Sequence, residues 1–285
     1  MPDRTRIFTE GEPEDQTFNN PQMLIPYIGG KTRLAKAIIA LLPPHRTYVE
    51  VFGGGAQVLL RKKPSEVEIL NDIDDDLVTL YRVVQYHWEE FIRCLRFQLS
   101  SRTWFSLLQR TDPKTLTDIQ RATRFYYLQK GSFGGLVRKR AYHYFIAKQP
   151  NFNPNRVAEV IEAVHARLAH VQIECLPFEQ LLPKFDSDQT CYFLDPPYLN
   201  RTLYNHNFTL SDFETLAAIL IKIKGKFILT VSDDREMHML FEPFSLFSTS
   251  LVYTAKKDAR KRFQELLVAN FTPTQLPPSV YPLGK

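Results

Sequence analysis

The stretch TYVEVFGGGAQVLLRKKPSEVEILND, residues 47–72, decides the fold class of this chain. Two apolar runs, 47–52 and 67–72, have the length and β-branched content of buried strands. Three glycines follow the first run, and residues 56–62 are long enough for a short helix before the second run. Strand, helix and strand in this order predict a parallel sheet with helical connections.

The same alternation extends on both sides of this unit. An apolar face repeats from Lys31 to Leu41, and Pro43 and Pro44 end that helix. Further along the chain, the pattern predicts helices at 155–169 and 212–223, and strands at 171–176, 190–195, 226–234, 245–254 and 264–271. We therefore expect one α/β sheet to run through most of the chain.

Between these parts, the periodicity changes to basic, aromatic-rich helices. The predicted organisation is a flexible arm, a catalytic domain in two segments, an inserted and mainly helical recognition domain, and a proline-broken tail. These parts cover 1–22 for the arm, 23–85 and 157–272 for the catalytic domain, 86–156 for the recognition domain, and 273–285 for the tail.

Composition excludes several classes of protein. The chain has 285 residues with 44% hydrophobic content, and no apolar run approaches the roughly 20 residues of a membrane span. The start of the chain is polar and acidic, unlike a secretory signal. Its 3 cysteines are far apart and form no Cys/His cluster with metal-ligand spacing. These features predict a cytoplasmic protein with neither disulfides nor a metal.

Charge is distributed unevenly along the chain. Residues 82–170 contain 15 Lys and Arg against 6 Asp and Glu, a net charge of +9, whereas the whole chain carries +5. A concentrated positive field favours a polyanionic partner, because one face can follow a phosphate backbone. Nucleic acid is the expected partner, and a solvated helical surface is the alternative.

The segment PYIGGKTRLAK, residues 26–36, suggests an anion site before a helix. A phosphate-binding P-loop requires a glycine five positions before its Gly-Lys pair, and Ile25 occupies that position. Backbone N–H groups and the positive end of a helix dipole still favour a negative group here. The sequence therefore predicts an anion site that is not an ATP phosphate loop.

The glycine turn at 53–55 and the acid at the end of the next strand suggest a nucleotide-like cofactor. Gly53 and Gly55 match two positions of a dinucleotide fingerprint, but Val58 stands at the third. Asp72 lies 19 positions after Gly53 and could accept hydrogen bonds from both hydroxyls of a ribose. A helix N-terminal acid is the alternative role for Asp72, and an oxidoreductase is the alternative class.

The segment YFLDPPYLN contains the strongest chemical motif. Asp195, Pro196, Pro197 and Tyr198 follow an apolar strand, at the end where α/β sheets keep their active sites. Neither proline has a backbone N–H to donate to a neighbouring strand, so the strand ends there and the turn that follows is rigid. A carboxylate, a proline carbonyl and an aromatic face together match the exocyclic amino group of a nucleic-acid base.

With these motifs, the sequence resembles the DNA adenine (N6) methyltransferases of the Dam type from Met23 to Phe271. The matching segments are PYIGGKTRL, VEVFGGGA, ILNDID, PFEQL, DPPY and ELLVANF, in the order of the subgroup whose recognition domain precedes DPPY. The resemblance implies a Rossmann-like methyltransferase fold with a mixed seven-stranded sheet. It also implies S-adenosyl-L-methionine as methyl donor and double-stranded DNA as substrate.

The resemblance also implies roles for individual residues. The catalytic residues would be Asp195, Pro196, Pro197 and Tyr198. Those that bind the cofactor would be Tyr27, Gly29, Gly30, Lys31, Glu50, Phe52, Gly53, Gly55, Asp72, Ile73, Phe178 and Asp195. Gly29, Gly30 and Lys31 would receive the methionine carboxylate. The basic charge of the inserted segment and of the run at 256–262 predicts the DNA-binding residues, with a solvated hairpin as the alternative for that run. These residues are Lys130, Phe133, Arg138, Lys139, Arg140, Lys256, Lys257 and Arg260.

Two positions depart from the family pattern. Pro177 replaces the acid that usually precedes Phe178 and binds the adenine amino group of the cofactor. In GSFGGLV, Gly134 stands where the recognition hairpin often has Asn, so the recognised DNA sequence is not predicted.

The implied reaction starts with flipping of the target adenine out of the duplex. Asp195 and the Pro196 carbonyl would accept hydrogen bonds from its amino group, Tyr198 would stack on the base, and residues 199–208 would form a lid. Methylation of cytosine N4 or RNA adenine, an oxidoreductase, and a catalytically silent DNA-binding protein are the alternatives. A monomer is compatible with the sequence, and a phage, orphan or restriction-modification context is left open.

Overall fold

A computed structural model describes residues 23–138, 140–143, 150, 152–199, 203–252 and 262–283. The strands are β1 (Thr47–Glu50), β2 (Val67–Asn71), β3 (Val171–Glu174), β4 (Thr190–Leu194), β5 (Lys226–Ser232), β6 (Ser245–Val252), β7 (Arg262–Ala269) and β8 (Val280–Pro282). The helices are α1 (Ala35–Leu41), α2 (Asp75–Tyr86), α3 (Trp88–Arg96), α4 (Arg102–Arg110), α5 (Asp118–Gly131), α6 (Pro154–Leu168), α7 (Phe178–Lys184), α8 (Leu210–Leu220) and α9 (Arg235–Leu240). None of these described helices has the length and apolar character needed to span a bilayer.

The strands form one mixed sheet in the order β3-β2-β1-β4-β5-β7-β6-β8. The first five strands of this order are parallel, and β7, β6 and β8 are joined by antiparallel pairs. The predicted α/β class and mixed sheet are confirmed. The sheet has eight strands where seven were expected, because Val280–Pro282 pairs with β6. The expected C-terminal tail thus contributes a strand.

Each face of the sheet is covered by its own apolar core. Along β1, Tyr48 belongs to one core and Val49 to the other. On β2, Leu70 belongs to the same core as Tyr48, and Ile69 belongs to the same core as Val49. This alternation follows from the two-residue repeat of a strand, and burial on both faces explains why these runs are almost wholly apolar.

The predicted helix at 56–62 is replaced by a series of turns. Ala56 has a positive φ of 48°, outside the helical range. The Leu59 N–H donates to the Glu50 carboxylate at 2.7 Å instead of to a helical carbonyl. The ammonium of Lys62 turns to Glu68 on β2. Glu50 therefore takes a backbone N–H that a regular helix would bond internally, and the Lys62–Glu68 contact ties the end of this segment to β2.

The predicted recognition domain contains α3, α4 and α5. Its helix α5 is buried from Ala122 to Gln129 and packs along α2. At their surface, the Arg121 guanidinium pairs with Asp75 at 2.8 Å and also with Asp76. The helical segment shares the apolar core that covers one face of the sheet. The domain boundaries at 86 and 156 stay a prediction, and the predicted arm at 1–22 lies outside the described residues.

Candidate active site

The carboxyl ends of β1, β2, β4 and β5 meet at one edge of the sheet. The chain leaves β1 outward to β2 and β3, and it returns to β4 on the other side of β1, so the strand order reverses between β1 and β4. Such a switch point opens a crevice where α/β proteins bind ligands. Here the crevice receives the glycine turn after β1, Asp72 after β2 and Asp195 after β4.

An inner cavity lies at this switch point and contains about 740 Å³ of space, including its open mouth. Most predicted cofactor residues line it. They are Tyr27, Gly29, Gly30, Lys31, Glu50, Phe52, Gly53, Gly55, Asp72, Ile73 and Asp195. At Gly53, an added Cβ would come within 2.9 Å of the Asn71 carbonyl oxygen, so the turn requires glycine for close packing against β2.

The Asp72 side chain is fixed in the wall of the inner cavity. One carboxylate oxygen accepts from Gly54 N–H at 2.8 Å, and the other accepts from Asp74 N–H at 2.9 Å. Burial raises the pKa of Asp72 to about 6, against the opposing effect of these backbone hydrogen bonds. Asp72 does not cap the following helix, because the N-cap of α2 is Asp74, whose side chain accepts from Asp76 N–H.

Glu50 supplies a second buried carboxyl group at the base of the inner cavity. It accepts hydrogen bonds from Leu59 N–H at 2.7 Å and from the Tyr48 hydroxyl at 3.0 Å. Burial raises the pKa of Glu50 to about 8. The side chain therefore holds the segment after the glycine turn against β1, in addition to facing the cavity.

Three aromatic rings pack together at the apolar wall of the inner cavity, and two of them face the cavity. The Phe52 and Phe208 rings line the cavity with centroids 5.3 Å apart. The ring of Phe178 packs on both, at 6.1 Å from Phe52 and 5.4 Å from Phe208. Phe178, which was predicted to bind the cofactor, is not among the residues that line the cavity, and its ring packs behind those of Phe52 and Phe208.

Lys31 lies beside the DPPY turn. Its ammonium nitrogen is 2.6 Å from Asp195 Oδ1 and donates to the Gly29 carbonyl at 3.1 Å. The ammonium also lies 5.0 Å from the centroid of the Tyr198 ring, within cation–π range. The Thr230 hydroxyl donates to the same oxygen, Asp195 Oδ1, at 2.7 Å. Lys31 thus joins the predicted anion loop directly to the catalytic motif.

An outer cavity opens on the other side of Asp195, with about 1620 Å³ of space including open solvent. It contains Pro196 and Tyr198 of the motif, together with Gly134 of the predicted recognition hairpin. The inner and outer cavities share Tyr27, Ile28, Gly29, Gly30, Lys31, Asp195 and Tyr204. Pro197 lines the inner cavity only. The DPPY turn therefore stands between two connected chambers.

Part of the predicted lid crosses the mouth of the inner cavity. The Tyr204 hydroxyl donates to the Ile28 carbonyl at 2.9 Å, and the Tyr204 ring stacks near Tyr27 with centroids 6.2 Å apart. On the far side, the Asn205 amide donates to the Asp74 carboxylate at 3.0 Å. Residues 203–208 thus bridge the two loops that border the inner cavity, while 200–202 lie outside the described residues.

The predicted recognition hairpin begins at the end of α5, and an isolated bridge pairs Ser132 with Tyr142. Phe133 directly follows the bridging residue Ser132, and its N–H donates to the Ala141 carbonyl at 3.3 Å. Its side chain is 59% exposed, with its ring centroid 4.8 Å from that of His143. At Gly135, with φ of 69°, an added Cβ would come within 2.7 Å of the Pro26 backbone. The hairpin is therefore packed directly against the loop that begins the active site.

Only some predicted DNA-binding residues face solvent. Arg138 is exposed. Arg140 turns inward, where its Nε donates to Gln129 Oε1 at 3.1 Å and its guanidinium lies 4.9 Å from the Phe125 ring centroid. Burial lowers the pKa of Arg140 to about 10. Lys130 turns to the Tyr126 ring at 5.3 Å, and burial lowers its pKa to about 8. The remaining predicted residues, Lys139, Lys256, Lys257 and Arg260, lie outside the described residues.

Several residues at the site had no individual role in the sequence predictions, although Tyr204 and Asn205 lie within the predicted lid. Thr230 and Glu265 come from β5 and β7, and Tyr204 and Asn205 come from the segment after DPPY. Glu265 stood in a quoted motif, ELLVANF, but no chemical role was given to it. Within the part of the chain that the structure describes, no group of three or more His, Cys, Asp or Glu could hold a metal ion.

Parallel strands that place a glycine-bordered cavity beside a DPPY turn define a Rossmann-like methyltransferase, which is the class of this fold. Residues 27–255 match the family model of the D12 class N6 adenine-specific DNA methyltransferases, and the chain belongs to this family. The predicted family, enzyme and reaction are confirmed: the chain is a DNA adenine methyltransferase. Family membership selects adenine N6 in DNA over the four alternative functions.

Curated relatives have similar length and related names. The chain is 25% identical to the type II methyltransferase M1.LlaDCHI of Lactococcus lactis subsp. cremoris, with 86% of this chain and 94% of the relative covered. It is 28% identical to the type II methyltransferase M.MjaIII of Methanocaldococcus jannaschii, covering 86% and 97%. A DNA adenine methylase of Salmonella typhi is 26% identical, covering 85% and 92%.

Among solved structures, an rRNA methylase from Streptococcus thermophilus aligns with a TM-score of 0.34 and 9% identity. The alignment covers 85% of this chain and 97% of that protein. This similarity is too low to inform function.

Proposed function

We propose that the inner cavity holds S-adenosyl-L-methionine and that the outer cavity receives an adenine flipped out of double-stranded DNA. The observation that carries this proposal is the position of Asp195, which lines both cavities. A donor in one chamber and an acceptor in the other can then meet at a single side chain. Holding two reactants in this way contributes on the order of 7 to 11 kcal/mol to catalysis.

The walls of the inner cavity fit the chemistry of this cofactor. Asp72 presents a fixed carboxylate, the group that suits two ribose hydroxyls. The Phe52 and Phe208 rings offer apolar faces to a purine. The Lys31 ammonium and the loop at Gly29 and Gly30 provide positive charge for a carboxylate. When bound, the cofactor supplies an electrophilic sulfonium methyl group.

The DPPY turn prepares the acceptor nitrogen. The lone pair of an adenine amino group is delocalised into the ring, so the nitrogen is a weak nucleophile until hydrogen bonds relocalise the pair. Lys31 and Thr230 both bond Asp195 Oδ1, which supports the proposal that Oδ2 and the Pro196 carbonyl accept from the amino hydrogens. The Tyr198 ring stacks on the base, which contributes about 1 to 3 kcal/mol.

Acid should weaken cofactor binding because Asp72 must be ionised to accept both ribose hydrogen bonds. Its pKa is raised to about 6, so the carboxylate dominates above that pH and is lost as the pH falls through 6. We expect affinity for S-adenosylhomocysteine to fall between pH 7 and pH 5, as measured by calorimetry. At pH 7, Asp72→Asn should weaken binding roughly 10- to 100-fold, the equivalent of one charge-assisted hydrogen bond.

The same substitution provides the internal control for this pH effect. Because an asparagine side chain cannot titrate, the variant should bind with nearly constant affinity across the same pH range. A variant that keeps the wild-type pH dependence would assign the effect to another group, for which the buried Asp74 is the first candidate.

The recognition hairpin is proposed to contact the phosphate backbone of the duplex and to disrupt base stacking. Arg138→Gln should flatten the salt dependence of DNA binding by about one phosphate contact, with a slope near 0.9. The matched control is Arg46→Gln, an exposed arginine paired with Glu66 at the opposite edge of the sheet. An unchanged slope in the Arg138 variant would remove this residue from the phosphate contacts.

Phe133 is proposed as a wedge between bases, since its ring is exposed on the surface of the hairpin. Phe133→Ala should slow methylation of duplex DNA more than of single-stranded DNA, because a wedge helps only where stacking must be broken. Single-turnover rates on both substrates provide the measurement. An equal loss on both would contradict the wedge.

The function itself is tested by incubating the protein with DNA and labelled cofactor, then digesting the product to nucleosides for mass analysis. N6-methyl-2′-deoxyadenosine from duplex DNA supports the proposal, and N4-methyl-2′-deoxycytidine or a methylated ribonucleoside from RNA would contradict it. A DNA substrate also supports a cytoplasmic site of action. Sequencing of modified bases would give the recognised site.

A further inference from the structure

The motif ELLVANF brings an additional carboxylate to the active edge. Glu265 lies on β7 opposite Ser232, the last residue of β5. Its side chain is only 13% exposed, and it lines the outer cavity together with Asp195 and Tyr198. The antiparallel pairing of β7 with β5 thus carries Glu265 to the same edge as the carboxyl ends of the parallel strands.

Glu265 lies on one side of the buried Lys31 ammonium, and Asp195 lies on the other. The Lys31 nitrogen is 2.6 Å from Asp195 Oδ1 and 3.8 Å from Glu265 Oε2, and the lysine side chain is 6% exposed. The shorter distance is that of a hydrogen bond, whereas the longer one acts through charge. The three charged side chains have a net charge of −1.

Tyr198 is the other neighbour of this cluster. Burial, Asp195 and Glu265 together raise the pKa of its hydroxyl well above the usual value. The tyrosine is therefore neutral at physiological pH, and it adds no charge to the cluster. The negative excess comes from Glu265, because Lys31 and Asp195 neutralise each other.

We infer that Glu265 is a positioning residue for methyl transfer, which rests on the function proposed for the two cavities. Lys31 stays paired with Asp195 at 2.6 Å, and the Glu265 carboxylate, 3.8 Å from the same ammonium, gives the cluster its net negative charge. Asp195 can then accept strongly from the substrate amino group, while its orientation stays fixed by Thr230. The motif ELLVANF would thus position catalytic groups through Glu265, in addition to forming part of β7.

The charge of the cluster matters because the reaction moves positive charge toward it. As the adenine nitrogen forms its bond to the methyl carbon, the carbon–sulfur bond breaks and its electron pair stays on sulfur. Positive charge passes to the nitrogen, which then releases one proton to water. A preorganised negative cluster beside the nitrogen stabilises that charge as it develops.

The experiment compares Glu265→Gln, Glu265→Asp and wild type in single-turnover methylation of a duplex. A matched control is Glu214→Gln, which removes an exposed carboxylate on α8. Glu265→Gln should lower the rate at least 20-fold, and Glu265→Asp should restore it to within fivefold of wild type. Glu214→Gln should stay within twofold.

Two readouts separate this role from a structural one. Calorimetry with S-adenosylhomocysteine and the fluorescence of 2-aminopurine at the target base should each stay within threefold of wild type in Glu265→Gln. A rate within threefold of wild type would overturn the inference. So would a rate loss that is matched by lost cofactor binding or lost base flipping.

The failure of this inference can be distinguished from failure of the proposed function. If wild type methylates adenine, Asp195→Asn is inactive and Glu265→Gln is active, then only the role of Glu265 fails. If wild type forms no N6-methyl-2′-deoxyadenosine in DNA under any condition, then the proposed function fails as well.

Discussion

Asp195→Ala is expected to lower the rate of methyl transfer by roughly a thousandfold, the upper range for removal of one preorganised polar group from an active site. Among the four residues of the DPPY motif, Asp195 is the one that lines both the inner and the outer cavity. Without its carboxylate, the amino nitrogen keeps its lone pair delocalised and also loses its position relative to the methyl donor.

The substitution has a second effect that must be measured separately. Lys31 is buried and 2.6 Å from Asp195 Oδ1, so the alanine variant leaves a buried ammonium with a weaker set of partners. Breaking a buried ion pair costs about 3 to 5 kcal/mol of stability. Asp195→Asn keeps the size of the side chain and a carbonyl acceptor for Lys31. This variant should therefore be more stable than Asp195→Ala while remaining inactive.

Labelled-methyl incorporation under single-turnover conditions, with circular dichroism and thermal unfolding in parallel, tests both variants. Glu214→Gln on the outer surface of α8 is the control for loss of one carboxylate. A rate within tenfold of wild type in the folded asparagine variant would remove Asp195 from the chemistry. Weaker cofactor binding alone would not contradict the assignment, because Asp195 also lines the inner cavity.

Local sequence patterns were sufficient for the central part of the fold. The runs at 47–52 and 67–72 and the strand before DPPY are apolar on both faces, a pattern that short buried strands produce. Glycines, prolines and acids at the ends of these strands then indicated the active edge. Eleven of the twelve predicted cofactor residues line the inner cavity, since strand ends in a parallel sheet converge whatever their separation in sequence.

The remaining features depend on contacts between distant parts of the chain. Val280–Pro282 is too short and too rich in proline neighbours to read as a strand, and it forms one because β6 offers an open edge. Arg140 resembles its exposed neighbour Arg138 in sequence, but Gln129 and the Phe125 ring draw it inward. Glu265 acquires its position only through the reversed direction of β7.

The turns at 57–61 also depend on contacts with distant parts of the chain. Apolar spacing favoured a helix there, but Glu50 takes one of the N–H groups and Lys62 turns toward Glu68. Glu68 is 4% exposed and is the centre of a buried network. Lys62 Nζ lies 2.5 Å from one oxygen, and the Arg167 guanidinium lies 2.5 Å from the other.

This network connects β2, the segment after the glycine turn, and α6. Arg167 Nη2 donates to the Leu59 carbonyl at 2.7 Å as well as to Glu68 at 2.9 Å, so one guanidinium bonds both partners. The Ser65 N–H also donates to Glu68, at 3.0 Å. Loss of the carboxylate would leave two buried cations close to each other, without the negative charge between them.

Glu68→Ala is therefore expected to lower the free energy of unfolding by about 3 to 5 kcal/mol. The matched control is Glu66→Ala, two residues earlier, which removes an exposed pair between Glu66 and Arg46. That pair should contribute about 0 to 1 kcal/mol. Denaturant unfolding followed by circular dichroism gives both values, and equal effects in the two variants would show that the network contributes no more than a surface pair.

The pH dependence of unfolding provides an independent check on the same network. Burial alone would raise the pKa of Glu68, but the hydrogen bonds from Arg167 and Lys62 outweigh it and the pKa is lowered. The unfolded carboxyl group titrates near its ordinary value of about 4.3, so the stabilisation is present above that pH and is lost as the pH falls through the folded value. The stability difference between wild type and Glu68→Ala should therefore be largest at neutral pH and should shrink on acidification below about pH 4. A difference that stays constant with pH would indicate that the lost side-chain packing, and not the charge of Glu68, accounts for the destabilisation.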